Sequence, residues 1–272
     1  MPREKASRRK RPHPRALVTG ASAGIGSAFA ERLACDGFDL IVVARRRARL
    51  DLLARRLERA HGVRVEVLAA DLTQPAGLRS VEARIARDAR LELLVNDAGL
   101  GEFGRFTEQA REREDAEIRL NVLALVRLTH AALPGMVRRG RGAVINVSST
   151  AAFQPCPNFA IYGATKAFLN SFTEALHEEL RGSGVGVQAL CPGLTHTEIF
   201  ARAGADVARL PAFLWMEADA VVDASLAALS RGEVICVPGL GNRAISSLAR
   251  LLPRTLTRRV LSVLGTRFVD AE

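Results

Sequence analysis

The chain holds a single tyrosine, Tyr162, and a single lysine beyond its first ten residues, Lys166. Residues four apart share one face of a helix, so phenol and ammonium would point the same way. Cations here are otherwise written as arginine: of 39 Lys+Arg, only Lys5, Lys10 and Lys166 are lysine. A compact three-donor ammonium can grip a sugar diol, which the planar arginine fork does poorly. A cation close to a phenol favours the phenolate, and the pair predicts a tyrosine pKa pulled down from ~10. Such a pair suits proton transfer to or from an oxygen. Taken alone, it would be better read as an exposed pair on a surface helix.

The elements that position this pair alternate from residue 15 to 238. Apolar strands are predicted at 15–19, 40–44, 63–68, 91–95, 143–148, 185–190 and 234–237. Helical spacing separates them over 25–35, about 50–57, 78–89, 111–138 (bent or ended near Pro134), 159–181 and 218–230. Short, fully apolar strands between helices imply a seven-stranded parallel sheet covered on both faces, an α/β doubly wound domain over 15–239. Its ligand belongs at the carboxyl ends of the strands. A basic disordered arm (1–14) precedes this domain, and a helical extension (240–272) follows it.

The net charge of +10 is wholly terminal. Residues 1–15 carry +6, residues 240–268 carry +6, the last four carry −2, and residues 16–239 sum to zero. A neutral body argues against a nucleic-acid-binding fold, whose basic stripe lies on the domain itself. No export signal is expected, because no apolar stretch separates Arg8-Arg9 from the first strand. No run of 18 apolar residues suggests a membrane span. Cys35, Cys156, Cys191 and Cys236 are far apart and fit a reducing cytoplasm. His13, His61, His130 and His177 have no metal-ligand spacing, and no metal is implied.

Thr19-Gly20-Ala21-Ser22-Ala23-Gly24-Ile25-Gly26 joins strand one to the first helix. Glycines there allow a tight turn and bring a pyrophosphate onto backbone N–H groups at a helix N-terminus. With this turn the chain resembles the compact short-chain dehydrogenase/reductases, whose pattern is TGxxxGxG. Five further motifs follow in order. Asn96-Asp97-Ala98-Gly99 matches NNAG except at Asp97, and Asn121 matches the helix asparagine. Ser149 lies thirteen residues before Tyr162, Tyr162 to Lys166 is YxxxK, and Pro192-Gly193-Leu194-Thr195-His196-Thr197 matches PGxxxT.

The resemblance implies a Rossmann-type domain and an oxidoreductase that interconverts a carbonyl and a secondary alcohol. Ser149 and Tyr162 would hydrogen-bond the substrate oxygen, with Tyr162 as general acid or base. Lys166 would hold the nicotinamide ribose, and Asn121 would position a water that returns the proton. Gly20, Ser22, Gly24, Ile25, Gly26, Asn96, Ala98, Gly99, Pro192, Gly193, Thr195 and Thr197 would join Tyr162 and Lys166 around the dinucleotide. Asp71 and Leu72 would border adenine. His196 reads as a loop residue. A homodimer or homotetramer built on helices 111–138 and 159–181 is also implied. The second of these helices carries Phe159, Phe168, Leu169, Phe172, Leu176 and Leu180.

At the end of strand two an acid would select NAD by accepting from the ribose 2′-hydroxyl. Ala44 followed by Arg45-Arg46-Arg47 favours NADP instead, with Arg45 offering its fork to the 2′-phosphate. Ala23 lacks the cation that some NADP members carry there. Phe153, Phe159, Phe200, Leu210, Phe213, Leu214 and Trp215 suggest an apolar substrate pocket, or a lid that merely seals itself. YGATKAFLNSFTEALHEEL is similar to long-chain 3-ketoacyl and 17β-hydroxysteroid reductases. The basic amphipathic extension would either pack on protein, which the arginine-rich surface favours, or touch an anionic membrane through 240–268.

Two functions remain open on these residues. One is an NADP(H)-dependent reductase. The other is a non-catalytic dinucleotide sensor or scaffold, although such proteins usually lose part of the Asn–Ser–Tyr–Lys set kept here. If Lys166 acts through its ammonium shape as well as its charge, Lys166→Arg should lower turnover by about 10²-fold or more. Steady-state NADPH oxidation checks this, and an arginine variant as active as the parent would refute it.

Overall fold

The structure, a computed structural model, describes residues 13–199, 203, 211 and 214–251. The arm up to residue 12, Phe200, Leu210 and Phe213, and the extension from residue 252 lie outside the described residues. The apolar runs form seven strands: β1 Arg15–Thr19, β2 Asp39–Ala44, β3 Val65–Ala69, β4 Leu91–Asn96, β5 Gly142–Val147, β6 Val185–Leu190 and β7 Ile235–Cys236. Leu17, Ile41, Val42, Leu94 and Val144 lose all solvent contact, as strands covered on both faces must.

Neighbouring strands are parallel, in the order β3-β2-β1-β4-β5-β6-β7. The winding reverses between β1 and β4, and a crevice opens there at the carboxyl ends. Register sets Thr19 beside Val43, Asn96 beside Asn146 and Val147 beside Leu190. The residues that leave these strand ends therefore emerge along one rim.

Helices α1 Gly24–Cys35, α2 Arg47–His61 and α7 Ala218–Ser230 cover one face, where Phe29, Leu33, Leu57 and Val221 pack with Val18 and Val42. On the other face α3 Pro75–Ala86 and α5 Leu125–Arg139 place Val81, Leu128 and Met136 with Leu17, Ile41 and Leu94. Helix α6 Ala160–Glu179 packs along β6. The third helix starts three residues earlier than its apolar spacing suggests. Pro75 occupies its first turn, where a missing N–H costs nothing.

The long helix 111–138 differs from expectation. It runs as α4 Arg111–Ile118, a π-helical segment Arg119–Ala124, and α5, which passes through Pro134 and ends on left-handed Gly140. The irregularity sits at Asn121, not at Pro134. Arg111–Arg139 is also long and apolar enough, by length and composition alone, to cross a membrane, contrary to the sequence expectation. Its apolar residues have another use here, since Leu125, Leu128, Ala132 and Met136 are buried in the core.

Candidate active site

The turn after β1 needs its glycines for particular reasons. Gly20 and Gly24 have φ of 72° and 57°, a region closed to most side chains. A Cβ on Gly26 would lie 2.6 Å from Asp97 Oδ2 and 2.7 Å from the Gly20 carbonyl oxygen. Thr19 ties this turn to the loop after β4. Its Oγ1 donates to the Val95 carbonyl at 3.3 Å and accepts from the N–H groups of Asp97 and Ala98, both at 3.0 Å.

A cavity of ≈ 910 Å³ follows the rim, large enough for an extended ligand. Gly20, Ser22, Gly24 and Ile25 line it from the first turn, and Ala98 and Gly99 from the loop after β4. Asp71 and Leu72 form one end, with Asp71 Oδ1 held by the Thr73 N–H and hydroxyl at 3.0 and 2.7 Å. Pro192, Gly193, Thr195 and Thr197 close it from the loop after β6. This cradle of open backbone beside the start of α1 fits a dinucleotide, with the pyrophosphate at the helix N-terminus.

Ser149, Tyr162 and Lys166 meet on the cavity wall. Ser149 leaves the end of β5 and caps the short 3-10 turn Thr150–Phe153, its Oγ accepting from the Ala151 N–H at 3.1 Å. It also hydrogen-bonds the Tyr162 hydroxyl. Lys166 is buried and donates to the Val147 carbonyl at 2.7 Å. Its Nζ lies 5.4 Å from the centroid of the Tyr162 ring. Phe159 packs at 4.6 Å from that ring. Gly101 lies over both rings, because a Cβ there would be 3.1 Å from each.

The electrostatics depart from expectation. Burial raises the Tyr162 pKa well above its ordinary value; Ser149 opposes this, while Cys156, Glu117 and Asp97 add to it. The lowered phenol predicted from the sequence is not found. Lys166 spends its ammonium on the Val147 carbonyl below the ring, and the hydroxyl stays in a poorly solvated, acid-rich corner. Burial also lowers Lys166 to about 8, against the pull of Asp97 and Glu117. Asp97 is raised to about 7 by burial, partly offset by Lys166 and by the Gly26 N–H. Glu117 is likewise raised to about 7 by burial, with the Glu102 N–H donating to its Oε2 at 3.2 Å.

Three expected site residues do not reach the cavity wall. Gly26 is packed behind Asp97. Asn96 donates to Thr129 and Asn146, both at 3.0 Å, and Asn146 donates on to Thr173 at 3.0 Å. This buried polar ladder lies between the strands and α5 and α6, so Asn96 supports the site from beneath. Asn121 exchanges two hydrogen bonds with Leu100, accepting its N–H at 2.9 Å and donating to its carbonyl at 2.8 Å, and reaches Thr165 at 3.1 Å. It is a brace for the loop that carries Gly99 and Gly101.

At the end of β2, Arg45 lines the cavity and is exposed. Arg46, which the sequence offered only as part of the Arg45-Arg46-Arg47 run, is the more closely wired. It donates to Ser22 Oγ at 3.0 Å and to Glu198 at 2.9 Å. Thr19, Gly101 and Glu117 were also missed. A Ser–Tyr–Lys register carries no trace of partners that lie far away in the chain.

Phe159 and Leu214 line the cavity with Leu100, Cys156 and Ile245. Phe153 does not line it, and Trp215 stacks on His196 at 4.8 Å, which leaves His196 in a loop role. The extension begins as α8 Leu240–Leu251. Asn242, Ile245 and Ser246 of this helix line the cavity. A Cβ on Gly193 would lie 2.5 Å from Asn242 Oδ1. The first part of the extension is therefore a wall of the site, while Leu240, Leu248 and Leu251 remain exposed.

Residues 14–208 match the family described as short chain dehydrogenase. The very-long-chain 3-oxoacyl-CoA reductase of Bos taurus is 32% identical over 188 residues, 68% of this chain and 60% of that protein. The chain thus spans less than two thirds of the length of that curated relative. A short-chain dehydrogenase from Sphingobium yanoikuyae, solved with NADPH, superposes with a TM-score of 0.80 at 43% identity, covering 89% of this chain and 97% of that one. The bulky-bulky ketone specific alcohol dehydrogenase from Comamonas testosteroni gives 0.76 at 35% identity, covering 89% and 95%.

Asp97 offers a test of the electrostatics. With a folded pKa of about 7 against ~4 in the unfolded chain, its contribution to stability is full below pH ~4 and is lost as pH rises to ~7. Asp97→Asn keeps an acceptor for the Gly26 N–H and removes the charge. We expect its melting temperature to exceed the parent's by about 2–4 °C at pH 8 and to match it near pH 4. Thermal melts across that range check the sign, and a variant less stable at pH 8 would contradict it.

Proposed function

The chain belongs to the short-chain dehydrogenase family, and from this and the site geometry we propose that it is an NADP(H)-dependent oxidoreductase interconverting a carbonyl and a secondary alcohol. The observation that carries the reading is the meeting of the Ser149 and Tyr162 hydroxyls above the buried Lys166 ammonium on the wall of a dinucleotide-sized cavity.

Each residue has a chemical task in this reading. The raised pKa of Tyr162 keeps its proton at neutral pH, the state a general acid needs for carbonyl reduction. Ser149 adds a second donor to the same substrate oxygen, where negative charge develops. Lys166 would hold the ribose hydroxyls of a bound dinucleotide, and its ammonium sets a positive potential near the phenol. Asn121 acts by fixing the Leu100 loop. The nicotinamide supplies or accepts the hydride. Ser22, Arg45 and Arg46 would hold the 2′-phosphate, in keeping with the NADPH bound by the Sphingobium relative.

The substrate is proposed to be apolar and bulky. Leu100, Phe159, Leu214 and Ile245 give the wall this character, and the ketone and long-chain acyl relatives agree with it. The assembly is proposed to be a homodimer or homotetramer through the long helix 111–138 (α4, the π-helical segment and α5) and α6. Ile118, Leu123, Val137 and Phe168 are each more than 40% exposed, and Phe168 stacks on Phe172 at 5.8 Å, an outward apolar stripe suited to a second copy. Light scattering at micromolar concentration should return a dimer or larger, and a monomer would count against the stripe as an interface.

Purified protein with NADPH and a panel of bulky ketones tests the activity directly. Tyr162→Phe is expected to lower kcat by about 10²–10⁴-fold while leaving NADPH affinity within a few-fold, because only the proton donor is lost. A phenylalanine variant with near-parental kcat would sink the proposed role.

A further inference from the structure

Arg46 immediately precedes α2 and reaches in two directions. Its Nε and Nη2 donate to Ser22 Oγ at 3.3 and 3.0 Å, and its Nη1 donates to Glu198 Oε2 at 2.9 Å. Arg49, one turn further on, donates its Nη1 to the other oxygen, Glu198 Oε1, at 2.5 Å. One carboxylate from the loop after β6 is thus shared by two guanidinium groups at the end of β2, and Glu198 itself lines the cavity. The same loop touches the glycine turn at a second point, since a Cβ on Gly24 would lie 2.9 Å from Thr197 Cγ2.

Two guanidinium forks around one anionic group, with a serine hydroxyl alongside, is an arrangement suited to a phosphate. Here an internal carboxylate takes that place. We propose that Glu198 is a specificity-determining residue, an internal anion that competes with the ribose 2′-phosphate for Arg46 and Arg49. This rests on the proposed use of NADP(H). A 2′-phosphate has to draw Arg46 away from Glu198, and any carboxylate left nearby repels it. A ribose 2′-hydroxyl carries no charge and need not displace the carboxylate. Glu198 therefore weakens binding of the phosphorylated dinucleotide selectively, and it links that event to the loop Thr195–Ile199, which it fastens to α2.

The alternative is an ordinary surface ion pair. Side-chain exposures of 32% for Arg46, 50% for Arg49 and 41% for Glu198 make it a small contributor to stability, so ligand binding is the sensitive readout. The test is calorimetric titration of the full chain and of Glu198→Gln with 2′,5′-ADP and with 5′-AMP, neither of which carries nicotinamide. The expected result is 2′,5′-ADP binding roughly three- to tenfold tighter in the variant, with 5′-AMP unchanged within twofold. The 5′-AMP arm also reports that the cavity is intact. An unchanged or weaker 2′,5′-ADP affinity, or equal tightening of both ligands, would overturn the inference. If 2′,5′-ADP binds no better than 5′-AMP in the variant as well as in the parent, it is the NADP(H) reading that fails, since the competing carboxylate is then gone.

Discussion

A buried ammonium is the constraint around which this site is organised. Lys166 is nearly sealed from water and holds its charge through the Val147 carbonyl and the field of Asp97 and Glu117. An unpaired cation in such a place would cost several kcal/mol. The neighbouring structure answers that cost by geometry. Strand β5 must end at Val147 so that its carbonyl faces α6, and the next turn must start at Ser149 so that its hydroxyl meets Tyr162. The position of the helix, the end of the strand and the proton donor are fixed together.

The two raised carboxyls belong to the same balance. Asp97 stands where the family pattern has asparagine, pressed against Gly20 and Gly26. Glu117 sits on α4, one turn before Asn121 and the π-helical segment. Both lie close enough to Lys166 to feel its charge, and both carry protons more readily than ordinary carboxyls. The site is therefore a small cluster of groups whose charges depend on one another, and substitution of one shifts the others.

The sheet and its winding were legible because each strand is a short apolar run and each helix repeats its apolar residues by turns. Helix 218–230 and strands 15–19 and 185–190 fall where the spacing places them. The third helix was placed late because Pro75 was not read as a first-turn residue. The π-helical segment was invisible, since nothing in the periodicity of LNVLALVRL distinguishes one extra residue per turn. Within the site, the motif spacings gave Ser149, Tyr162 and Lys166 their common wall. They did not give the Thr19 brace, the Arg46–Glu198 contact or the depth of Tyr162. Each of these depends on which distant segment packs beside the residue, and the rise in the phenol pKa follows from that packing alone.

The position of α8 has a consequence for how the protein is made. The cavity begins at the glycine turn after β1 and is walled by Asn242, Ile245 and Ser246, which are made far later. Helix α8 packs on the turn Thr150–Phe153, and its Asn242 meets Gly193. Contacts of such long sequence separation form late and slowly. Strands β1 to β6 are made by Leu190, so a nascent chain passes through a stage with most of its sheet and an open, unfinished pocket. Competence to enclose a ligand arrives only with α8.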